Sequence, residues 1–153
     1  IKEASEYNKL ISVVPEGEIA GSIINKDFSK NENGFYYSAV NLMHDVTEGG
    51  VFGAAYEMAH FSGIGIKLDK KSILVSEATL KICEALNWNP YRLISSGSLL
   101  IATSESDRVL SKLRENNIEA CVIGEFVESG DGLRSAPYFN LQIDGVELLD
   151  EAF

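Results

Sequence analysis

The chain has 153 residues, 45% of them hydrophobic and 24% charged, which is the composition of an ordinary globular domain with enough length to bury a core. Its formal net charge is −10, from 23 acidic and 13 basic residues. That argues against nucleic-acid binding, which needs a basic footprint to neutralise phosphates. No apolar run approaches the roughly 18 residues of a membrane span, and no basic-then-apolar leader opens the chain, so a cytoplasmic location is expected. The first residue is Ile1, not Met, so a piece of a longer protein is expected.

In chain order, Ala4, Tyr7, Leu10 and Ile11 recur at helical spacing and predict a helix within residues 1–14. Pro15 opens a second helix, Glu16 to about Ile24, at a position that tolerates proline. Residues 25–35 are polar and rich in breakers, a surface loop. A short apolar strand from Ser38 to Met43 then leads through a polar turn, His44 to Thr47, into a helix from Glu48 to about Phe61. Val51, Ala55, Met58 and Ala59 give that helix a core stripe, and Ser62-Gly63 ends it.

Ile64, Ile66 and Leu68 alternate as a half-buried strand. Thr79, Ile82, Cys83 and Leu86 form another helical stripe, with Ser76 as N-cap and Asn89-Pro90 as stop. Leu99 to Ala102 is an unbroken apolar run, read as a central strand buried on both faces. Ser104-x-x-Asp107 reads as a capping box for a helix bearing Val109, Leu110 and Leu113, closed at Asn116-Asn117. Ile118 to Val127 reads as a strand broken at Gly124. Ser129–Gly132 is a turn, Phe139, Leu141 and Ile143 mark a strand with one wet face, and Asp144-Gly145 turns the chain back. The order α-α-β-α-β-α-β-α-β-β predicts an α+β fold with α/β-type layers, a mixed β-sheet packed by helices. Cys83 and Cys121 are expected as buried, reduced thiols, since neither has metal-ligand spacing.

The stretch around which the candidate chemistry gathers is His44-Asp-Val-Thr-Glu-Gly-Gly50. A strand ending here and passing through two glycines into a helix aims free N–H groups and the positive end of a dipole at one place. Thr47, Gly49 and Gly50 could hold a phosphate through main-chain N–H groups and a hydroxyl. Asp45 could position a cation or donor group, and His44 stands beside it at the strand end. The same residues have plainer uses: Asp45 or Thr47 as N-cap, His44 as a hydrogen-bonded structural histidine, and the glycines as close packing of helix on strand. Ser96 and Gly97 form a second small-residue turn before the apolar strand and could line the same cleft. No metal site is expected, because cysteines and histidines are scattered.

Several pieces together resemble the C-terminal domain of the aminoimidazole ribonucleotide (AIR) synthase superfamily. They are Ile11-Ser-Val-Val-Pro, Met43-His-Asp-Val-Thr-Glu-Gly-Gly-Val, Glu57-Met-Ala, Ser62-Gly-Ile-Gly-Ile, Ile94-Ser-Ser-Gly-Ser-Leu-Leu-Ile-Ala-Thr and Ile118-Glu-Ala-Cys-Val-Ile-Gly-Glu. The series spans roughly residues 8–127 and is most similar to the hydrogenase expression/formation (HypE-like) branch.

The resemblance implies that residues 1–153 are one C-terminal domain of a two-domain, ATP-dependent protein. Its N-terminal domain would bind most of the ATP and Mg²⁺ and form a homodimer. The C-terminal domain would supply groups facing a small-molecule substrate or phosphate, with His44 and Asp45 in catalytic positions and Thr47, Gly49, Gly50, Ser96 and Gly97 in binding positions. The implied reaction activates a substrate oxygen by phosphoryl transfer, and this domain alone is expected to be inactive and to hold no cofactor. Where close members of the branch have arginine before the glycines this chain has Glu48, and it ends Asp150-Glu-Ala-Phe153 where carbamoyl-carrying members end in cysteine. Those departures leave an alternative of another class: a non-catalytic binding or assembly module, in hydrogenase maturation.

Overall fold

A computed structural model of the chain describes residues 11–26 and 32–128, and the backbone of two later strands at 140–143 and 146–149. In order, the elements are α1 (Val14–Gly21), β1 (Val40–Asp45), α2 (Gly50–Ser62), β2 (Gly65–Leu68), a 3-10 turn (Lys70–Ser72) and α3 (Glu77–Leu86). A second 3-10 turn (Pro90–Arg92), β3 (Leu99–Thr103), α4 (Ser106–Glu115), β4 (Gly124–Val127), β5 (Asn140–Ile143) and β6 (Val146–Leu149) follow. The chain divides into two compact units, residues 1–46 with 95–120, and residues 47–94 with 121–153. The helix expected within 1–14 and the turns expected at Ser129–Gly132 and Asp144-Gly145 lie outside the described residues, apart from Ile11–Val13, which are not helical, and Val14, which begins α1.

In the first unit α1 starts with Pro15 in its opening turn, as expected, but ends at Gly21 and not Ile24. The β-branched Ile23 and Ile24 leave the helix and pair as a short ladder: the Ala39 amide donates to the Ile23 carbonyl at 2.6 Å and Asn25 to Tyr37 at 2.8 Å. Ala20, Ile23, Ala39, Val109 and Leu113 form the core, flanked by Ile19, Val40, Met43 and Ile101. Val109 and Leu113 are four apart on α4, so the stripe read from the sequence faces this core.

Two expectations fail here. β3 pairs only with β1 among the described residues, antiparallel, in a two-stranded ribbon. Leu99, Leu100 and Ile101 are half-buried, and Ala102 alone is buried. An apolar run thus does not by itself mean cover on both faces. Nor does Ser104 cap α4, which begins at Ser106 with no side-chain cap. Just before the helix, the Thr103 hydroxyl accepts from the amide of the N-cap residue Glu105 at 2.9 Å while donating to the Ala39 carbonyl at 2.7 Å.

Glu105 is engaged elsewhere. Its carboxylate accepts from the Lys26 amide at 3.1 Å and pairs with Arg108, whose guanidinium also donates to the Ile24 carbonyl at 3.1 Å. The Arg108 partnership holds the Glu105 carboxyl below its ordinary value.

The second unit has a mixed sheet in the order β4-β2-β5-β6, with β2 antiparallel to β4 and parallel to β5, and β5 antiparallel to β6. α2 lies against β2 and buries Phe52, Ala54, Ala55, Met58 and Ala59. Three members of its expected stripe are buried, and Val51 is half-buried. The helix closes as a Schellman motif: Gly63 takes φ +65° and donates to His60, and Ile64 donates to Ala59, each at 3.2 Å. Asn87 (φ 54°) and Asn117 (φ 59°) end α3 and α4 the same way.

The sequence misplaces three further features. Residues 118–123 are not strand; β4 is only the last four residues of the expected run, and Gly124 opens it. A Cβ there would collide with the Lys67 carbonyl of β2, so glycine lets the two backbones meet. On α3 only Cys83 is buried, while Ile82 and Leu86 are 56% and 51% exposed, so the apolar stripe there is not a core face. Cys121 is exposed, outside any strand, its thiol donating to the Ser72 carbonyl at 3.1 Å. Both cysteines are free thiols. No helix among the described residues is long and apolar enough to cross a membrane.

Candidate functional site

The residues singled out in the sequence fall in two places. His44, Asp45, Ser96 and Gly97 belong to the first unit, and Thr47, Gly49 and Gly50 to the second.

His44 and Asp45 are not in a turn; they are the last two residues of β1, paired with Leu100 and Leu99 of β3. The ribbon continues one step further, since the Val46 amide donates to the Ser98 carbonyl at 3.0 Å. Register therefore brings the Ser95–Ser98 turn to the same end of the ribbon as Asp45. That turn is closed by Ser98 N–H to the Ser95 carbonyl at 3.0 Å, with Gly97 at φ +96° in its third position. A type II turn needs positive φ there, which explains this glycine. The Ser95 and Ser98 hydroxyls meet at 2.9 Å, and Ser96 is exposed at the tip.

The His44 ring is mostly covered, with 22% of its side chain exposed, and Nδ1 lies 2.6 Å from the main-chain carbonyl of Asp45. A carbonyl can only accept, so Nδ1 carries the proton and, in the neutral ring, Nε2 is the basic nitrogen. The Asp45 carboxylate is 59% exposed and 3.8 Å from Nδ1. Asp45 caps no helix.

Neither does Thr47. The N-cap of α2 is Gly49, in the left-handed region at φ 77°, and no side-chain capping hydrogen bond is made there among the described residues. Gly50 is also left-handed at φ 64°, and its amide donates to the Thr47 carbonyl at 3.1 Å. The helix therefore starts two residues later than the sequence suggests, after a turn that two glycines alone make cheap. The group that comes close to Gly50 is the chain's own backbone: an added Cβ would stand 2.5 Å from the Tyr91 carbonyl oxygen and 2.6 Å from that of Leu93. Glu48, before the glycines, is exposed.

Sequence reasoning missed Tyr91 altogether. Its ring stacks on Phe52 in the first turn of α2, with centroids 5.3 Å apart and planes 15° from parallel. Lys70 lies over the same ring, its Nζ 5.0 Å from the centroid. The Asn89-Pro90 signal marks a stop and does place the 3-10 turn, with the Asn89 side chain accepting from the Tyr91 amide at 3.0 Å. Nothing periodic in the sequence tells that this turn returns to α2. His60 stacks on Tyr56 and meets Phe61 edge-on. Among the described residues no three of His, Cys, Asp or Glu are grouped so as to hold a metal ion.

The chemistry on offer is thus a helix start with uncapped N–H groups, favourable to an anion, and at the ribbon end a carboxylate, an imidazole and serine hydroxyls. Comparison with known proteins agrees on what kind of domain this is. The family profile "AIR synthase related protein, C-terminal domain" matches residues 31–134. The carbamoyl dehydratase HypE of Rhizobium leguminosarum bv. viciae is 29% identical over 92 residues, covering 58% of this chain and 26% of that protein. The crystal structure of E. coli HypE, a hydrogenase maturation protein, superposes with a TM-score of 0.61 at 26% identity, covering 74% of this chain and 35% of the other. Another HypE, solved in complex with ATP, shares the fold at 24% identity and a TM-score of 0.56, covering 61% of this chain and 29% of that one. The chain spans less than a third of the length of the curated relatives it matches.

Proposed function

The chain belongs to the AIR synthase related C-terminal domain family, and from that premise we propose that it is the substrate- and phosphate-facing domain of an ATP-dependent, HypE-like protein. The observation that carries the reading is the start of α2: two left-handed glycines deliver a helix whose first amides no side chain caps. Such a terminus presents fixed donors to an anion without reorganisation, which is what phosphoryl transfer asks of a protein. Within the second unit, Thr47 and the main-chain amides at the start of α2 would hold a phosphate; within the first unit, taken by itself, the Ser96-Gly97 turn would offer a hydroxyl and a main-chain amide to a ligand. Asp45 would orient the group that attacks, and His44 would exchange a hydrogen bond with it through Nε2.

ATP, when bound, would supply the phosphoryl group that activates a substrate oxygen. The Mg²⁺ it brings, and most of the nucleotide contacts, would fall to an N-terminal domain that also forms a homodimer. On this reading residues 1–153 act only in company with that domain and are inactive alone. The test is Asp45→Ala in the complete protein. Loss of turnover with an unchanged melting temperature supports the reading; full activity removes Asp45 from it.

A second reading, a binding or assembly module in hydrogenase maturation without catalysis, is favoured by two observations. The glycine at position 50 is fully accounted for by the backbone packed on it. An exposed Glu48 beside the helix start would also oppose an anionic ligand. Tight phosphate binding at the α2 amides would count against this module.

A further inference from the structure

We propose that Tyr91 is the positioning residue for the anion-binding start of α2, an inference that rests on the phosphate-facing reading above. Two contacts converge on one helical turn. The Tyr91 carbonyl fills the space beside Gly50, the first residue of α2, where a Cβ would come within 2.5 Å of it. The Tyr91 ring lies flat on Phe52, which is 5% exposed and two residues further along the helix. Main chain and side chain of one residue thus grip both ends of the segment that carries the Val51 and Phe52 amides.

The ring has a second partner. Lys70 sits over it at 5.0 Å, so the aromatic group contacts both an ammonium and a phenyl ring. The Asn89 side chain and Pro90 fix the turn from which Tyr91 projects. Gly49 and Gly50, at φ 77° and 64°, have no side chains to restrain them, and glycine is the residue that most readily takes other conformations. The restraint must come from outside the glycines, and Tyr91 supplies it. Pre-orienting donors spares a ligand the cost of ordering them. Tyr91 would therefore raise phosphate affinity without touching phosphate.

The test titrates this chain with inorganic phosphate and follows the Val51 and Phe52 amides by NMR, for wild type, Tyr91→Phe and Tyr91→Ala. Tyr91→Leu replaces Tyr91→Ala if the latter does not fold. The ring and not the hydroxyl does the holding, so Tyr91→Phe is expected to bind as wild type. The truncated variant, still folded, is expected to bind about tenfold more weakly, the usual scale for removing a supporting residue behind a binding group. Equal affinity in the folded truncated variant overturns the role of Tyr91 and leaves the phosphate-facing reading standing. Weak binding by Tyr91→Phe as well overturns the role of the ring. No phosphate-dependent shift in wild type overturns the phosphate-facing reading and this inference with it.

Discussion

Gly50 and Tyr91 are in main-chain contact: the site of a Gly50 Cβ lies 2.5 Å from the Tyr91 carbonyl oxygen, and Gly50 has φ +64°. Gly63 has nearly the same φ, +65°, but nothing within 4 Å of its Cβ site. The pair separates backbone strain from crowding. Gly63→Ala should cost about 1 kcal/mol, the strain of a left-handed non-glycine residue. Gly50→Ala should cost about 3 kcal/mol, because strain and overpacking both act. Denaturant melts of the two variants check this, and equal losses would remove the crowding. A bulkier Gly50→Val would thus report on folding before it reports on anion binding.

Two serines in capping-like contexts should behave differently. Ser76 accepts from the Thr79 amide at 3.2 Å at the start of α3, so Ser76→Ala should destabilise by about 1 kcal/mol. Ser104 caps nothing, and Ser104→Ala should fall within about 0.5 kcal/mol of wild type. Thermal melts of both variants check this, and a loss on Ser104→Ala as large as that on Ser76→Ala would restore the cap expected from Ser104-x-x-Asp107.

How far the sequence carried can be judged from such residues. Periodicity found α2, β2 and α4, because Met58, Ile66, Val109 and Leu113 are buried where the pattern puts them. Helix ends were legible at Gly63 and Asn117, whose types suit the left-handed geometry they adopt. Cover was not legible. Leu99–Ala102 and the α3 stripe are apolar, but a one-dimensional pattern does not say which face meets a neighbour. At the candidate site the motif was readable and its geometry was not. His44 and Asp45 are strand and not turn because β3 pairs with them, and the partner of Gly50 is Tyr91, distant in sequence.

Glu105 should shape the acid limb of stability. Its folded-state pKa is lowered, chiefly by Arg108 and then by the Lys26 amide, from an ordinary 4.5. A depressed carboxyl pKa contributes stability that is fully present above the unfolded value and is lost as pH falls through the folded one. Wild type should therefore lose stability more steeply below about pH 4.5 than Glu105→Gln, with the two profiles parallel above it. Denaturant titrations from pH 3 to 7 (about four units, spanning both regimes) test this. Identical acid limbs would mean the pair with Arg108 does not bind the proton balance of folding.

The two thiols should titrate separately. Cys121 is exposed and Cys83 only 2% exposed, so a thiol reagent should modify one group per native chain and two after unfolding. Mass mapping should place the native adduct on Cys121. Rapid native labelling of Cys83 would contradict the burial of α3 on that side.

The central claim is that this domain serves ATP-dependent phosphoryl transfer in a longer protein. The most direct measurement is ATP hydrolysis by the complete protein, with and without Mg²⁺, beside residues 1–153 alone. The account expects Mg²⁺-dependent ADP formation by the complete protein and none by this chain. ADP formation by this chain alone, or none by the complete protein with Mg²⁺ across a panel of candidate substrates, would contradict it.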